Sequence, residues 1–250
     1  MGREHYRKLE TLKRIETPAL ETAEQHLALV RLARSKRDVK KVIELLENDY
    51  LKKFPNNADL LAECGKCYVQ AMAMPGEFTL KIAGYATQAD HYFDLSLRLD
   101  PNKLDNLREY ANFLTKTQQS VKAEQTIARV IVLEYKESHA NARQHESVSF
   151  YRPGTLYALG IVYSTWNDGD KPAHQAMAKA CFEKANQISK NYDIPRDLPR
   201  VKEHAPWIRV QTHLQTVKEP DFAVTLHAPA PHPIEHIEAV AELTAPPAAP

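Results

Sequence analysis

Residues 60–69 have the sequence LLAECGKCYV, and the interpretation of this stretch decides the fold. It contains Cys64-Gly65-Lys66-Cys67, the C-x-x-C spacing of a dithiol oxidoreductase or of half a zinc site. It also places the small residue Gly65 among larger apolar residues, as a helix does where a second helix packs closely against it. The rest of the chain decides between these interpretations.

The composition favours a helical protein. The chain has 250 residues, 43% of them hydrophobic, and only seven glycines, too few for a Gly-rich nucleotide cradle. A formal net charge of +1 gives no overall attraction to nucleic acid or to an anionic membrane. With no long apolar run, no secretory signal and three cysteines, we expect a soluble, cytoplasmic protein in a reducing compartment.

Apolar periodicity, interrupted by prolines, predicts consecutive helix pairs that are joined by short turns. A charged helical stretch is predicted at 3–15 and a further helix within 19–34, and Asp38 is a predicted N-cap for the next. The further predicted helices cover 38–54, 58–73, 78–99, 104–116, 119–136, 154–166, 172–190 and, as a cap on the core, 207–217.

One pattern of apolar, small and aromatic residues returns in the first helix of successive pairs. Its copies are Leu61, Cys64, Gly65 and Tyr68, then Leu107, Tyr110, Ala111 and Leu114, then Leu156, Leu159, Gly160 and Tyr163. A second pattern returns in the second helices. Its copies are Ala89, Phe93, Ser96 and Pro101, then Ala123, Ile127 and Val130, then Ala178, Phe182 and Ala185.

These two patterns resemble those of the tetratricopeptide repeat family. The copies cover 58–101, 104–136 and 153–190, with a degenerate pair at 19–55, and they stand farther apart than the family's repeats. The resemblance implies an all-α fold over residues 1–191, an α-solenoid of antiparallel helix pairs in a right-handed superhelix. In that fold the small residues Gly65, Ala111 and Gly160 let the two helices of a pair approach closely.

The repeat pattern gives Cys64 a structural explanation, because it fills an apolar slot in the middle of a helix. A dithiol site needs a thiolate at a helix N-terminus after a strand, and a zinc site needs two more soft ligands. Cys181, the third cysteine, has no C-x-x-C partner. We therefore expect structural thiols and predict no catalytic, cofactor-binding or metal-binding residue.

The resemblance also implies a concave groove, lined by the second, fifth, ninth and twelfth positions of the first helices. The corresponding residues are Asp59, Ala62, Lys66, Val69, Asp105, Arg108, Asn112, Thr115, Tyr157, Ile161 and Ser164. This lining suits an extended peptide or a helix. Ala62 and Lys66 replace the Lys and Asn of the family members that bind chaperone tails, so that ligand is not predicted.

The C-terminal part of the chain has a different composition. Residues 192–218 are predicted as a capping or irregular segment, and 219–250 as a flexible tail with seven prolines, five acidic residues and no Lys or Arg. Within the tail, IEHIEAVAEL (234–243) has an apolar stripe at helical spacing. It is either a docking motif that folds on a partner or a solvated segment with an accidental stripe.

We therefore expect a non-catalytic scaffold or adaptor that binds one or more protein partners within a larger assembly. Neither membrane insertion, nor nucleic acid, nor a small-molecule substrate is predicted. Two alternatives stay open. One is a thiol- or metal-dependent enzyme that uses Cys64 and Cys67, and the other is an RNA-binding helical repeat, given a mild excess of Lys and Arg in 1–55.

Overall fold

The structure, a computed structural model, describes residues 22–35, 38–76, 79–141, 151–191 and 206–218. These residues form helices and include no strand, which confirms the predicted all-α class. The helices are α1 (Ala23–Ser35), α2 (Val39–Leu45, continued by the π-helical turn Leu46–Tyr50 and the last turn Leu51–Lys53), α3 (Ala58–Met72), α4 (Thr79–Leu99), α5 (Leu104–Lys116), α6 (Ser120–Asn141), α7 (Pro153–Thr165), α8 (Lys171–Ile188) and α9 (Pro206–Thr216).

Local sequence signals account for where most of these helices begin and end. The side chain of Asn57 caps α3 by accepting a hydrogen bond from the Leu60 amide at 2.9 Å. Prolines lie in the first turn of α7 and of α8, where the missing N–H costs nothing. Asp38 does precede α2, but its side chain makes no capping hydrogen bond, so the predicted cap is present in position only.

The helices are packed as pairs, α3 with α4, α5 with α6, and α7 with α8. Within the first pair the two helices are antiparallel, because Ser96 near the end of α4 donates to the Ala58 carbonyl at the start of α3. The first helices of successive pairs also contact each other, α3 with α5 and α5 with α7. On the last pair, α9 packs against α8 and buries Val210 completely.

Within a pair, an aromatic ring lies directly on the backbone of a glycine. A Cβ atom added to Gly65 would lie 3.0 Å from the ring of Phe93, and one added to Gly160 would lie 2.7 Å from the ring of Phe182. Only a residue without a side chain fits such a contact without displacing the ring. The C-x-x-C glycine at position 65 is thus a packing residue.

Most residues of the repeat pattern lie in one continuous core. Its members are buried, and among the pattern residues named as structural only Pro101 is exposed, in the turn after α4. The buried ones are Leu61, Cys64, Gly65, Tyr68, Ala89, Phe93, Ala111, Ala123, Leu156, Leu159, Gly160, Tyr163, Ala178, Phe182 and Ala185. The spacing that defines the pattern is therefore the spacing of core positions.

Each pair is also tied to the second helix of the pair before it by a tyrosine hydroxyl that donates to a carboxylate. These tyrosine–carboxylate bonds join Tyr68 to Glu47 (2.6 Å), Tyr110 to Asp90 (2.7 Å) and Tyr163 to Glu124 (2.7 Å). Burial first, and then the adjacent carboxylate, raises the pKa of all three phenols. The hydroxyls therefore remain protonated donors at neutral pH.

Each of these carboxylates has a second polar partner. The additional contacts are Tyr92 to Glu47 (2.9 Å), Lys122 to Asp90 (3.0 Å) and His213 to Glu124 (2.8 Å). The last of them connects α9 to α6. Such sharing offsets the cost of removing each carboxylate from water.

Several sequence predictions lie outside the described residues. These are the flexible tail 219–250 with its segment 234–243, and the parts of the predicted repeat domain and capping segment at 1–21 and 192–205. Within the capping segment residues 206–218 are described, and 206–216 are helical, in agreement with the helix predicted at 207–217.

The close contact at Gly160 predicts opposite effects for two Gly→Ala substitutions. Gly160→Ala is expected to lower the free energy of unfolding by about 1–2 kcal/mol, because the new methyl group collides with Phe182. Gly84→Ala, on α4 with open space around the added atom, is expected to raise it by about 0.5–1 kcal/mol through helix propensity. Urea unfolding measures both, and equal effects of the two substitutions would contradict the packing account.

Candidate functional site

Two adjoining cavities of about 490 and 440 Å³ lie along the face shared by α1, α3 and α5. Three residues line both cavities, Arg31 from α1, Lys66 from α3 and Glu109 from α5. We refer to the two cavities together as the groove. The first cavity is also lined by Arg34, Val69, Gln70, Ala73, Phe93, Asn112, Phe113 and Lys116, and the second by Leu27, Asp59, Lys103, Asp105, Asn106 and Arg108.

Helical periodicity brings these side chains to one surface. On α3, Asp59 and Lys66 are separated by two turns, and Val69 and Gln70 follow one turn later. On α5, the series Asp105, Arg108, Asn112 and Lys116 recurs at intervals of one turn. Because α3 and α5 contact each other, the two series form one continuous surface.

A buried carboxylate underlies the first cavity. Glu63 on α3 is 1% exposed and lies 3.3 Å from Arg31, 3.1 Å from Arg34 and 3.0 Å from Lys66. A lone buried carboxylate would be strongly destabilising, so these three cations are required for its burial. The same ion pairs position the three positive groups at the wall of the groove.

The second cavity is edged by ion pairs. Arg108 lies 2.7 Å from the buried carboxylate of Glu134, which also accepts a hydrogen bond from Thr155 at 2.8 Å. At the same edge, Lys103 lies 3.2 Å from Asp59. Positive and negative groups are therefore matched along this part of the groove.

The first cavity, in contrast, is positively charged. Four cations, Arg31, Arg34, Lys66 and Lys116, line it, whereas the anions are Glu109 and the underlying Glu63. Lys116 has no ion-pair partner among the residues that the structure describes. An anionic group that entered this cavity would meet a surplus of positive charge in a partly enclosed site.

The structure brings six of the eleven predicted groove residues together along the two cavities. They are Asp59, Lys66, Val69, Asp105, Arg108 and Asn112. Ala62 is only 1% exposed and therefore offers almost no surface to a ligand. The Thr115 hydroxyl is bonded to the Ala111 carbonyl within α5.

The three predicted groove residues on α7 line neither cavity. Tyr157 packs edge-on against Phe182 at 4.9 Å, the Ser164 hydroxyl bonds to a carbonyl of its own helix, and Ile161 is exposed. The predicted lining also lacked Arg31 and Arg34. Their helix carries no clear copy of the repeat, so no sequence signal placed them at the groove.

The cysteines lie in surroundings that disfavour thiolate chemistry. Cys64, Cys67 and Cys181 are free and have no exposed surface, and Cys64 and Cys67 lie in the middle of α3. Burial raises the pKa of the Cys64 and Cys181 thiols, and it raises the pKa of Cys67 to about 12. Burial of Cys64 agrees with the structural role predicted for it.

Comparison with protein-family models, with curated proteins and with solved structures found no match for this chain. Within the described ranges, no three His, Cys, Asp or Glu side chains are grouped so that they could hold a metal ion. None of the helices described above is long and apolar enough to cross a bilayer. The groove is therefore the site on which a functional proposal depends.

The thiols are expected to be slow to react in the folded protein. At pH 8 a chromogenic disulfide reagent should modify none of Cys64, Cys67 and Cys181 within minutes, and all three at once in urea, because the folded thiols are buried and protonated. Alkylation of Cys67 in the folded state should still increase above pH 10, since its pKa is about 12. One or two thiols that react rapidly in the folded protein would contradict this account.

Proposed function

We propose that this chain is a non-catalytic scaffold or adaptor of the tetratricopeptide-like class, and that it binds a protein partner in the groove. Its helix pairs would stack as an α-solenoid in a right-handed superhelix, and the chain would act in the cytoplasm as a subunit of a larger assembly. The observation that carries the proposal is the position of the cavities. They follow the surface of α3 and α5 on which the repeat pattern predicted a binding groove.

The shape and chemistry of the groove support a peptide or a helix as the ligand. The cavities adjoin end to end and are partly open, so they suit an elongated segment better than an enclosed small molecule. Apolar surface from Val69 and Ala73 lies among charged groups and amides. A partner segment can therefore gain both apolar burial and directed polar contacts.

The two alternative functions receive less support. An enzyme that used Cys64 and Cys67 would need an accessible thiolate, whereas both thiols are buried and have a raised pKa. Non-specific binding of single-stranded RNA commonly uses exposed aromatic rings as stacking platforms. The aromatic rings that line the groove, Phe93 and Phe113, are buried and offer no stacking platform. The positive charge of the first cavity is therefore the only feature that favours RNA in the described part of the groove.

A large side chain in the groove is expected to block binding. Asn112 is exposed on α5, so Asn112→Trp should fill part of the first cavity without disturbing the core. In quantitative affinity purification, specific partners of the wild-type chain should be depleted at least tenfold with this variant.

The matched control is Gln187→Trp, which adds the same side chain to an exposed position of α8 away from the cavities. It should retain the wild-type partners, and both variants should keep the wild-type melting temperature. If Asn112→Trp and Gln187→Trp retain identical sets of partners, the groove is not the binding site.

A further inference from the structure

The first cavity of the groove has an excess of positive charge that the described part of the chain does not neutralise. Three of its cations share the carboxylate of Glu63, and the fourth, Lys116, has no ion-pair partner among the described residues. Glu109 is the other anion of the cavity, so four positive groups face two negative ones. The wall between the cations includes apolar surface from Val69 and Ala73. The ligand chemistry that matches is an acidic peptide with an apolar side.

The same chain contains a segment of that chemistry. Residues 219–250 have five acidic residues and no Lys or Arg. Within 234–243, Glu235, Glu238 and Glu242 recur at helical spacing beside Ile234 and Ile237. A helix formed there would carry three carboxylates on one side, next to an apolar stripe.

The distance from the start of the tail to the basic cavity has an upper bound. The described structure ends at Lys218, shortly after α9, and His213 near the end of α9 lies 2.8 Å from Glu124 near the start of α6. Lys116 precedes Glu124 by one short turn and one helical turn, so at most about 20 Å separates their Cα atoms.

With the His213–Glu124 contact and the residues from His213 to Lys218 included, at most about 45 Å separates Lys218 from Lys116. The linker between Lys218 and the acidic segment is long enough to cover this distance. Residues 218–234 reach about 50 Å when fully extended. Because the segment is tethered, its effective concentration at the cavity is on the order of 1 mM, and an intrinsic dissociation constant of about 0.1 mM suffices for occupancy.

We propose that residues 234–243 of the tail bind in the first cavity of their own chain, with Glu235, Glu238 and Glu242 facing Arg34, Lys66 and Lys116. The tail then competes with any acidic partner for the groove. The inference rests on the proposed function only for its biological consequence, because occupancy of the cavity can be measured without a partner.

Competition between a free and a tethered copy of the segment tests this proposal. A fluorescent peptide of residues 231–246 is titrated with the full chain, wild type or with Glu235→Gln, Glu238→Gln and Glu242→Gln together, and the binding is followed by anisotropy. The substituted chain should bind the peptide about tenfold more tightly, because its own tail no longer competes. Binding should also weaken as the salt concentration rises.

Two further substitutions, made in the chain with the neutralised tail, locate the binding site. Lys116→Glu should weaken peptide binding at least tenfold, because it places a negative charge in the cavity. Lys136→Glu, an exposed lysine of α6 that does not line the groove, makes the same charge change and should leave binding unchanged.

Several results would overturn the proposal. They are equal peptide affinities of the wild-type and tail-neutralised chains, no peptide binding by either chain, and full binding by the Lys116→Glu variant. Dissociation of a dimer on neutralisation of the tail, seen by sedimentation, would show that the tail binds a second copy and would contradict docking within one chain. The affinity purification with Asn112→Trp tests partner binding, whereas the peptide titration tests binding of the tail. Failure of the inference and failure of the proposed function are therefore distinguishable.

Discussion

Three tyrosine hydroxyls, those of Tyr68, Tyr110 and Tyr163, each donate to a carboxylate on the second helix of the preceding helix pair. Apolar packing between successive pairs is non-directional, so by itself it tolerates small shifts of one pair against the next. A hydrogen bond of 2.6–2.7 Å to a charged acceptor fixes both distance and orientation. Each such bond contributes about 1.5–3 kcal/mol, a large part of the 5–15 kcal/mol typical of a folded domain.

The groove depends on this arrangement. Its walls belong to α1, α3 and α5, which come from different helix pairs, so the cavities exist only while the pairs keep their relative positions. The bond between Tyr110 and Asp90 joins α5 to α4, and α4 packs against α3 through the contact of Phe93 with Gly65. The cations around Glu63 then connect α1 to α3. Interactions in the core and at the surface thus position the same groove.

The sequence predicts the helices well because their signals are local. The predicted helix at 104–116 coincides with α5, and Asn57 and the prolines of α7 and α8 mark the starts of these three helices within one or two residues. The contacts of Gly65 with Phe93 and of Gly160 with Phe182 could also be predicted from the sequence, since in both pairs a glycine recurs in the first helix and a Phe in the second. The π-helical turn in α2, which contains Glu47, has no comparable signal in the sequence.

Contacts between distant residues were harder to predict. Six predicted residues line the groove because α3 and α5 carry the repeat pattern, whereas Arg31 and Arg34 reach it from a helix that lacks a clear copy. The tyrosine–carboxylate bonds were missed because their partners are far apart in sequence. In retrospect a signal exists, since Asp90 and Glu124 each follow the small residue of the second helix, and Lys179 replaces the acid in the last pair.

The most direct test of this account is a double-mutant cycle on Tyr163 and Glu124, both of which are buried. The free energy of unfolding in urea is measured for the wild type, Tyr163→Phe, Glu124→Met, which removes the acceptor oxygen, and the double variant. The account predicts a coupling energy of about 1–3 kcal/mol between the two residues. Effects that add to within about 0.3 kcal/mol would show that the bond does not hold the helix pairs together.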